Sequence, residues 1–444
     1  MSYKDYFKGK KITVMGLGIL GRGLGYTKFL ADCGAILTVT DLKTPEQLAT
    51  SVKALSKYPN ITFVLGKHNL KDFQKSDMVI KSAGVPLDSI YIKEAVKNNI
   101  PVKMDASLFA EIMPEVVIIG VTGTRGKSMT TTLIYEILHA NEKFLGRKVY
   151  IGGNIRGKAT LPLATKVKDG DIVVLELDSW QLQGFGDAKL SPDISVFTSF
   201  MPDHMNYYKD DMKTYFADKA NIFKYQQEGD ILVVRPGMKK LIPKDIQSDL
   251  IVADPKNVAS WKWQVPGAHQ RENLACAVEV SKLFDIPLSN IKNVVKEFKG
   301  IEGRLQFVKE TDCVKIYNDN NATTPEATAA GITALGENTK RARIILIAGG
   351  ADKKLDTKNL IKAINNYCKK VVWLPGSGTD TIDSKKLKIK SVSAKNLKDA
   401  VTQALSDAKK GDVLLFSPAF ASFGMFNNEY ERNDQFMKII KSLK

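Results

Sequence analysis

Ile118-Ile119-Gly120-Val121-Thr122-Gly123-Thr124-Arg125-Gly126-Lys127-Ser128 decides the fold of this chain. An apolar run leads into a glycine-punctuated loop that ends in Gly-Lys-Ser. Helical spacing follows from Met129 to His139. This is the layout of a phosphate cradle. Glycines let backbone N–H groups crowd around anionic oxygens, and the helix that follows directs its positive end at them. Lys127 would reach terminal phosphates, and the Ser128 hydroxyl could ligate Mg²⁺. Gly120 lies one residue too far from Gly126 for the standard spacing, so the strand–loop–helix context carries the reading. The expectation is an ATP or GTP site in a parallel α/β domain.

The same grammar recurs upstream. Lys11 to Met15 reads as a strand, followed by Gly16-Leu17-Gly18-Ile19-Leu20-Gly21, a helix from Arg22 to Cys33, and a strand from Ile36 to Thr40 ending in Asp41. This βαβ unit with three glycines and an acid after its second strand fits a nucleotide site, or glycines kept for packing alone. Further strands are expected at 61–65 and 78–81, and 101–114 reads as a connector. Downstream of the Gly-Lys-Ser loop, 171–177 and 194–198 read as buried strands. Helical spacing covers 210–225 and 269–284. A third series contains strand patterns at 314–317, 343–348, 370–374 and 413–416. Each of these ends in a polar or glycine-rich loop, where open α/β sheets bind ligands.

The chain therefore reads as α/β in three domains. A Rossmann-like N-terminal domain (1–105) precedes a central P-loop-type mononucleotide-binding domain (106–302) and a Rossmann-like C-terminal domain (303–444). A length of 444 residues supports that number. With 44% hydrophobic and 25% charged residues, the chain has a globular composition. The lysine-rich start has no apolar signal segment, and no apolar run approaches the roughly 18 residues of a membrane span. A cytoplasmic protein is expected, without membrane insertion. Cys33, Cys276, Cys313 and Cys368 are widely spaced and form no C-x-x-C pair, so free thiols are expected. A formal charge of +17 invites a polyanionic partner. However, the excess is lysine spread thinly: residues 351–400 hold twelve lysines but also five aspartates. Nucleic-acid binding is not expected, whereas phosphorylated small substrates would benefit from the positive field.

Several residues could carry chemistry. Glu176, deep in an apolar strand, needs an ion pair or a metal. His204 of Asp203-His204 could ligate a metal, orient a phosphate or cap a helix. Tyr215 and Lys219 are four apart and share a helix face. Asp319, in Asn318-Asp319-Asn320-Asn321, could bind a ribose hydroxyl or close an Asx-turn. Lys353 and Ser422 could hold an anionic substrate, although composition alone would make them surface residues.

Together these segments resemble the Mur ligase family, most closely its D-glutamate-adding member. The resemblance runs through Gly16 to Gly18, Ser82-Ala83-Gly84-Val85-Pro86, Thr122 to Ser128, Gly152-Gly153-Asn154-Ile155 and Leu175 to Leu182. It continues through Asp203-His204-Met205, Tyr215 to Phe223, Gly267-Ala268-His269 with Asn273, Arg304, Asn318-Asp319, Gly349 to Asp356 and Ser417 to Phe423. It implies an ATP-dependent amide ligase that adds D-glutamate to UDP-N-acetylmuramoyl-L-alanine through an acyl phosphate, in cytoplasmic peptidoglycan precursor synthesis.

By resemblance, the loop residues Gly123, Thr124, Arg125, Gly126, Lys127 and Ser128, with Asn273, Arg304 and Asp319, would hold ATP. Ser128 and Glu176 would ligate one Mg²⁺. Glu176, His204 and Lys219 would serve a second, with Lys219 matching a lysine that the family carbamylates. Gly16, Gly18, Asp41, Lys43, Asn154, Asp178 and Gln181 would face the UDP substrate. Lys353, Ser422 and Phe423 would face the amino acid. A monomer acting on small molecules is implied.

Three positions depart from the family pattern. Asp178 replaces a frequent serine, Asn321 stands where many members have lysine, and Glu429 falls where an aromatic is usual, with Tyr430 one residue on. The incoming amino acid therefore stays open at this point, with a Mur-type ligase for a different amino acid as the alternative. A folate-type ligase lacks a domain like residues 1–105. More distant readings are a nicotinamide-dependent oxidoreductase built on Gly16 to Asp41 and a non-catalytic nucleotide-binding regulator.

Overall fold

The computed structural model describes residues 2–337 and 343–443. Seventeen strands are assigned among them. The N-terminal five are β1 (Lys11–Met15), β2 (Ile36–Asp41), β3 (Ile61–Leu65), β4 (Met78–Lys81) and β5 (Val102–Lys103). They form one parallel sheet in the order β3-β2-β1-β4-β5. The next six are β6 (Val117–Thr122), β7 (Val149–Gly153), β8 (Ile172–Glu176), β9 (Ile194–Phe197), β10 (Ile231–Val234) and β11 (Asp249–Val252). They form a second parallel sheet, β11-β10-β9-β6-β8-β7. The last six are β12 (Gln306–Thr311), β13 (Val314–Asn318), β14 (Ile344–Gly349), β15 (Cys368–Leu374), β16 (Lys390–Ser393) and β17 (Val413–Phe416). Their order is β12-β13-β17-β14-β15-β16, parallel except for the β12–β13 hairpin.

The expected strands are present. Sequence reading did not single out β5, β7, β10, β11, β12 and β16. The β12–β13 turn explains one of these omissions. Asp312 and Cys313 take positive φ (49° and 59°) there without the Asn-Gly or Asp-Gly signal that marks such turns.

The chain divides into two compact units, Met1–Ala259 with Glu272–Val294, and Ser260–Arg271 with Val295–Lys444. In the first, one apolar cluster includes Val14, Leu30 and Val39 of the N-terminal sheet region and Leu175, Phe185 and Phe197 of the central one. In the second, apolar layers cover both faces of the sheet, one around Leu346, Ile364 and Leu415 and the other around Ile345, Val401 and Phe436. Near-continuous burial of inner strands such as β8 and β14 follows from helices on both faces. All four cysteines are free, and only Cys313 is exposed. Among the described residues, no helix is long and apolar enough to cross a membrane.

Candidate active site

The central sheet reverses its order at β6, so the loops after β6 and β9 flank a crevice at the carboxyl ends of the strands. The β6 loop leads into the helix Lys127–Ala140, whose N-cap is Gly126 at φ 91°. Residues after β9 pin this loop. Thr124 N donates to Ser199 O (2.7 Å) and Arg125 N donates to Ser199 Oγ (2.8 Å). Thr198 Oγ1 donates to Arg125 O (2.6 Å). Glycine is obligatory where the loop touches these partners. A Cβ on Gly123 would lie 2.1 Å from Thr198 Oγ1, and one on Gly126 would lie 2.4 Å from Asn273 Oδ1. Asn273 is buried, and its Oδ1 also accepts from Thr130 Oγ1 on the same helix (3.2 Å) and from Arg235.

Two lysines converge on this loop. Lys127 Nζ donates to Gly123 O (2.9 Å) and Thr124 O (3.2 Å). Lys219 Nζ, from the helix Met212–Ala220, donates to the same Gly123 O (3.0 Å). Lys219 is 1% exposed. Burial, and then the charge of Lys127, push its pKa down to about 7, against the pull of Asp178, Asp203 and Asp218. Tyr215 places this lysine: its ring lies 5.0 Å below the Nζ, and its hydroxyl is 3.2 Å from Thr124 Oγ1.

Glu176 ends β8, opposite Val121 of β6 and Gly153 of β7, and is buried. Its carbonyl accepts from Asn154 N (2.7 Å). His204 takes a left-handed backbone (φ 55°) and caps the short helix Met205–Tyr208. The Trp180 ring covers its imidazole at 4.8 Å between centroids. Asp203 is ion-paired with Arg125 (2.7 Å). Burial alone would raise the Asp203 carboxyl, but Arg125 and His204 hold it below its ordinary value. Among the described residues, no group of three or more His, Cys, Asp or Glu side chains could hold a metal.

The expected UDP-facing residues belong to the same unit. Asp41 Oδ2 accepts from Gly18 N (2.8 Å) and Oδ1 accepts from Lys43 N (2.9 Å), so the carboxylate ties the first glycine loop to the end of β2. Ile19, Leu20 and Leu42 lie exposed along this edge, apolar side chains that sequence reading left unassigned. Ser82 Oγ donates to Gly16 O (2.8 Å). Asp178 and Gln181 form a capping box on the helix Ser179–Ala188: Gln181 N donates to Asp178 Oδ1 (2.8 Å) and Asp178 N to Gln181 Oε1 (3.2 Å). Asn154 Oδ1 accepts from Arg22 Nη2 (2.8 Å).

In the second unit, Asp319 follows β13 with both oxygens engaged. Leu305 N donates to Oδ1 (3.0 Å) and Ser417 Oγ donates to Oδ2 (2.7 Å). Burial raises its pKa to about 7 against these bonds and the charge of Arg304. Lys353 Nζ donates to Thr323 Oγ1 (2.9 Å). Burial lowers the Lys353 pKa, helped by Arg432 and opposed by Glu429. Ser422 is buried, whereas Phe423 next to it is 63% exposed.

Sequence reasoning missed Arg432. It is buried, with Nε donating to Asn320 Oδ1 (2.8 Å) and Nη1 to Phe420 O (3.2 Å), so it joins the loops after β13 and β17. A signal existed in the spacing. Arg432, Phe436 and Ile440 are four apart on one helix, and the latter two are core residues.

Three family models match the chain in order. They are a Mur ligase MurD-like N-terminal domain over 10–103, a Mur ligase middle domain over 121–249 and a Mur ligase glutamate ligase domain over 303–420. The UDP-N-acetylmuramoylalanine--D-glutamate ligases of Roseiflexus sp. (strain RS-1) and Borreliella burgdorferi (strain ZS7) are each 34% identical. The alignments cover 98% and 99% of this chain and 99% of each relative. Two solved structures share the fold. The Thermotoga maritima UDP-N-acetylmuramate-alanine ligase MurC has a TM-score of 0.61 at 18% identity, covering 98% of this chain and 100% of that one. The MurF ligase of the same organism, in complex with ADP, has a TM-score of 0.57 at 17% identity, covering 99% and 96%.

Proposed function

The chain belongs to the Mur ligase family, and from that premise we propose that it joins D-glutamate to UDP-N-acetylmuramoyl-L-alanine at the expense of ATP. One observation carries the catalytic reading. Two lysines meet on one loop carbonyl, Gly123 O, beside the strand that ends in the buried carboxylate Glu176. Two anions, a substrate carboxylate and a triphosphate, must approach each other in this reaction, and the Lys127 cation at the loop offsets their repulsion.

The substrate carboxylate oxygen attacks the γ-phosphorus. The bond to the β,γ-bridging oxygen breaks, and ADP leaves. The neutral amine of glutamate then attacks the acyl carbon, the C–N bond forms, phosphate departs and the amine proton is lost. The loop amides and Lys127 hold the transferring phosphate in place. Asn273, packed on Gly126, supports the loop. Arg304 and Asp319 are assigned to the nucleotide, and Lys353, Ser422 and Phe423 to the amino acid.

Magnesium would neutralise phosphate charge. The Ser128 hydroxyl and the Glu176 carboxylate suit it, since this ion takes few protein oxygens alongside phosphate and water. A second ion would use Glu176, His204 and Lys219. As an ammonium Lys219 fits no metal, but its lowered pKa makes available the neutral amine, the form that adds CO₂ to become a carbamate. Residues 1–105, 106–302 and 303–444 then divide the work among the UDP substrate, ATP and the amino acid. The protein acts as a cytoplasmic monomer on small molecules, with no nucleic-acid partner.

The test is phosphate release with ATP, Mg²⁺ and UDP-N-acetylmuramoyl-L-alanine, offering D-glutamate, L-glutamate and other amino acids separately. Release that depends on D-glutamate is expected. Release only with another amino acid would keep the chemistry and transfer the specificity to the region of Glu429. No release with any of them would overturn the proposal.

A further inference from the structure

Arg432 lies on the helix Glu429–Ser442 and is 1% exposed, yet all its hydrogen-bond acceptors are neutral. Nε donates to Asn320 Oδ1 (2.8 Å), Nη2 to Asn320 O (3.0 Å) and Nη1 to Phe420 O (3.2 Å). Among the described residues no carboxylate lies within ion-pair distance of it, and Glu429 acts on it only at a distance. Burying a cation on neutral partners is costly. Packing alone would be served by an apolar side chain, as it is by Phe436 and Ile440 on the same stripe. What an apolar side chain lacks is the planar fork, which bonds two loops at once.

Those loops leave the carboxyl ends of β13 and β17, which are neighbours in the sheet, with β14 on the far side of β17. The loop after β17 carries strain. Ala419 has φ 67°, a conformation that a residue with a Cβ adopts only when its surroundings hold it there. Ala419 N donates to Ala322 O (2.9 Å), in the loop after β13. Ala421 and Ala351, in the loop after β14, exchange N–H···O bonds (3.0 and 2.9 Å). Lys353 Nζ, two residues past Ala351, reaches back to Thr323 Oγ1 (2.9 Å). The three loops are thus laced together, and Arg432 grips two of them from beneath. Ser422 follows Phe420 by two residues. Asp319, the neighbour of Asn320, has separate bonds to Leu305 N and Ser417 Oγ.

We propose that Arg432 is a positioning residue for the incoming amino acid, an assignment that rests on the ligase reading above. It holds the strained loop after β17 against the loop after β13, and so fixes the spacing of Ser422, Thr323 and Lys353. Its guanidinium acts through these loops and not on the substrate. The nucleotide and the UDP substrate do not depend on it, because Asp319 is held by other groups and residues 1–105 belong to the other unit.

The full-length enzyme carrying R432K or R432M tests this, with KM for each of the three substrates and kcat as readouts. Lysine keeps the charge but cannot bond both loops. Both variants are expected to raise KM for D-glutamate at least about tenfold, with KM for ATP and for UDP-N-acetylmuramoyl-L-alanine within about threefold and kcat at saturating glutamate within about threefold. A rise shared by all three substrates, or an R432K enzyme equal to the parent, would overturn the proposal.

Should both variants fail to fold, N320A decides, since it removes the Oδ1 acceptor and leaves the arginine in place. It should raise KM for D-glutamate alone, by at least about threefold, and an unmoved KM would overturn the proposal. Amide exchange reads the loop without any turnover. In R432K, or in N320A if R432K does not fold, the Ala419 and Ala421 N–H groups should exchange at least about tenfold faster than in the parent, with those of β14 unchanged. Unchanged exchange at both would show that the arginine does not set the loop. If the parent enzyme uses another amino acid, the KM for that one is the readout. If it uses none, the amino-acid claim falls with the ligase reading, whereas the exchange rates still decide whether Arg432 holds the loop.

Discussion

The two glycine-rich turns of the first unit, Gly16–Gly21 and Gly123–Gly126, share a backbone plan and differ in what surrounds it. Each joins the end of a parallel strand to a helix with a left-handed glycine at its N-cap, Gly21 (φ 85°) and Gly126 (φ 91°). The first is closed by a carboxylate, Asp41, which accepts from Gly18 N, and bordered by exposed Ile19, Leu20 and Leu42. The second is closed by hydroxyls from Thr198 and Ser199 and by two lysines on Gly123 O. The plan offers N–H groups in both places, and the neighbours choose the ligand. On the proposed reading, the acid with its apolar edge would meet the hydroxyls and flat ring of a nucleoside, whereas the Lys127 cation would meet phosphates in transfer.

The largest contrast should come from removing a cation at the second turn. K127A is expected to lower phosphate release by at least about a thousandfold, since the positive charge acts where negative charge develops. Full activity in that variant would end the comparison. At the first turn, D41N leaves chemistry untouched and loosens Gly18 and Lys43. KM for the UDP substrate should rise about tenfold with kcat nearly constant, which is what loss of a charged hydrogen bond costs. A fall in kcat instead would show that the two turns are not separate in function.

Acid should act on the second turn through Lys219. Lys219 is held down near pH 7, so its neutral amine is replaced by ammonium as pH falls through that value, and the carbamate it can form is lost in the same direction. Activity should fall about fivefold from pH 7 to pH 6. A ¹³C carbamate signal in labelled bicarbonate should fade in parallel, and a carbamate signal constant over this range would refute the assignment.

The smallest effect belongs to G18A. Gly18 has φ 63°, with nothing within 4 Å of an added Cβ, so only left-handed strain is introduced, about 1 kcal/mol by thermal unfolding. A larger loss would mean that Gly18 is packed against neighbours in solution.

Much of this was legible because glycine patterns, apolar runs and helix caps are local. The strands β1, β2, β6 and β8 and both turns follow from residues within a few positions of each other. Glu176 was legible too, since a carboxylate inside an apolar strand asks for a reason. Lys219 was legible only through the family resemblance, because nothing nearby distinguishes it among so many lysines. Only the packing of its helix brings it to Gly123 O. Arg432 was half legible: its spacing from Phe436 and Ile440 placed it inward, but its partners Asn320 and Phe420 lie far back along the chain.

The sequence by itself determined that this is a parallel α/β chain with two glycine turns of the same design, since such turns depend only on the conformational freedom of glycine and the period of the strands flanking it. The tertiary structure decided which side chains surround each turn. Asp41 at one and Lys219 at the other are long-range juxtapositions. Their effect comes from burial and from the short range over which charges act on one another, and neither can be read along a chain.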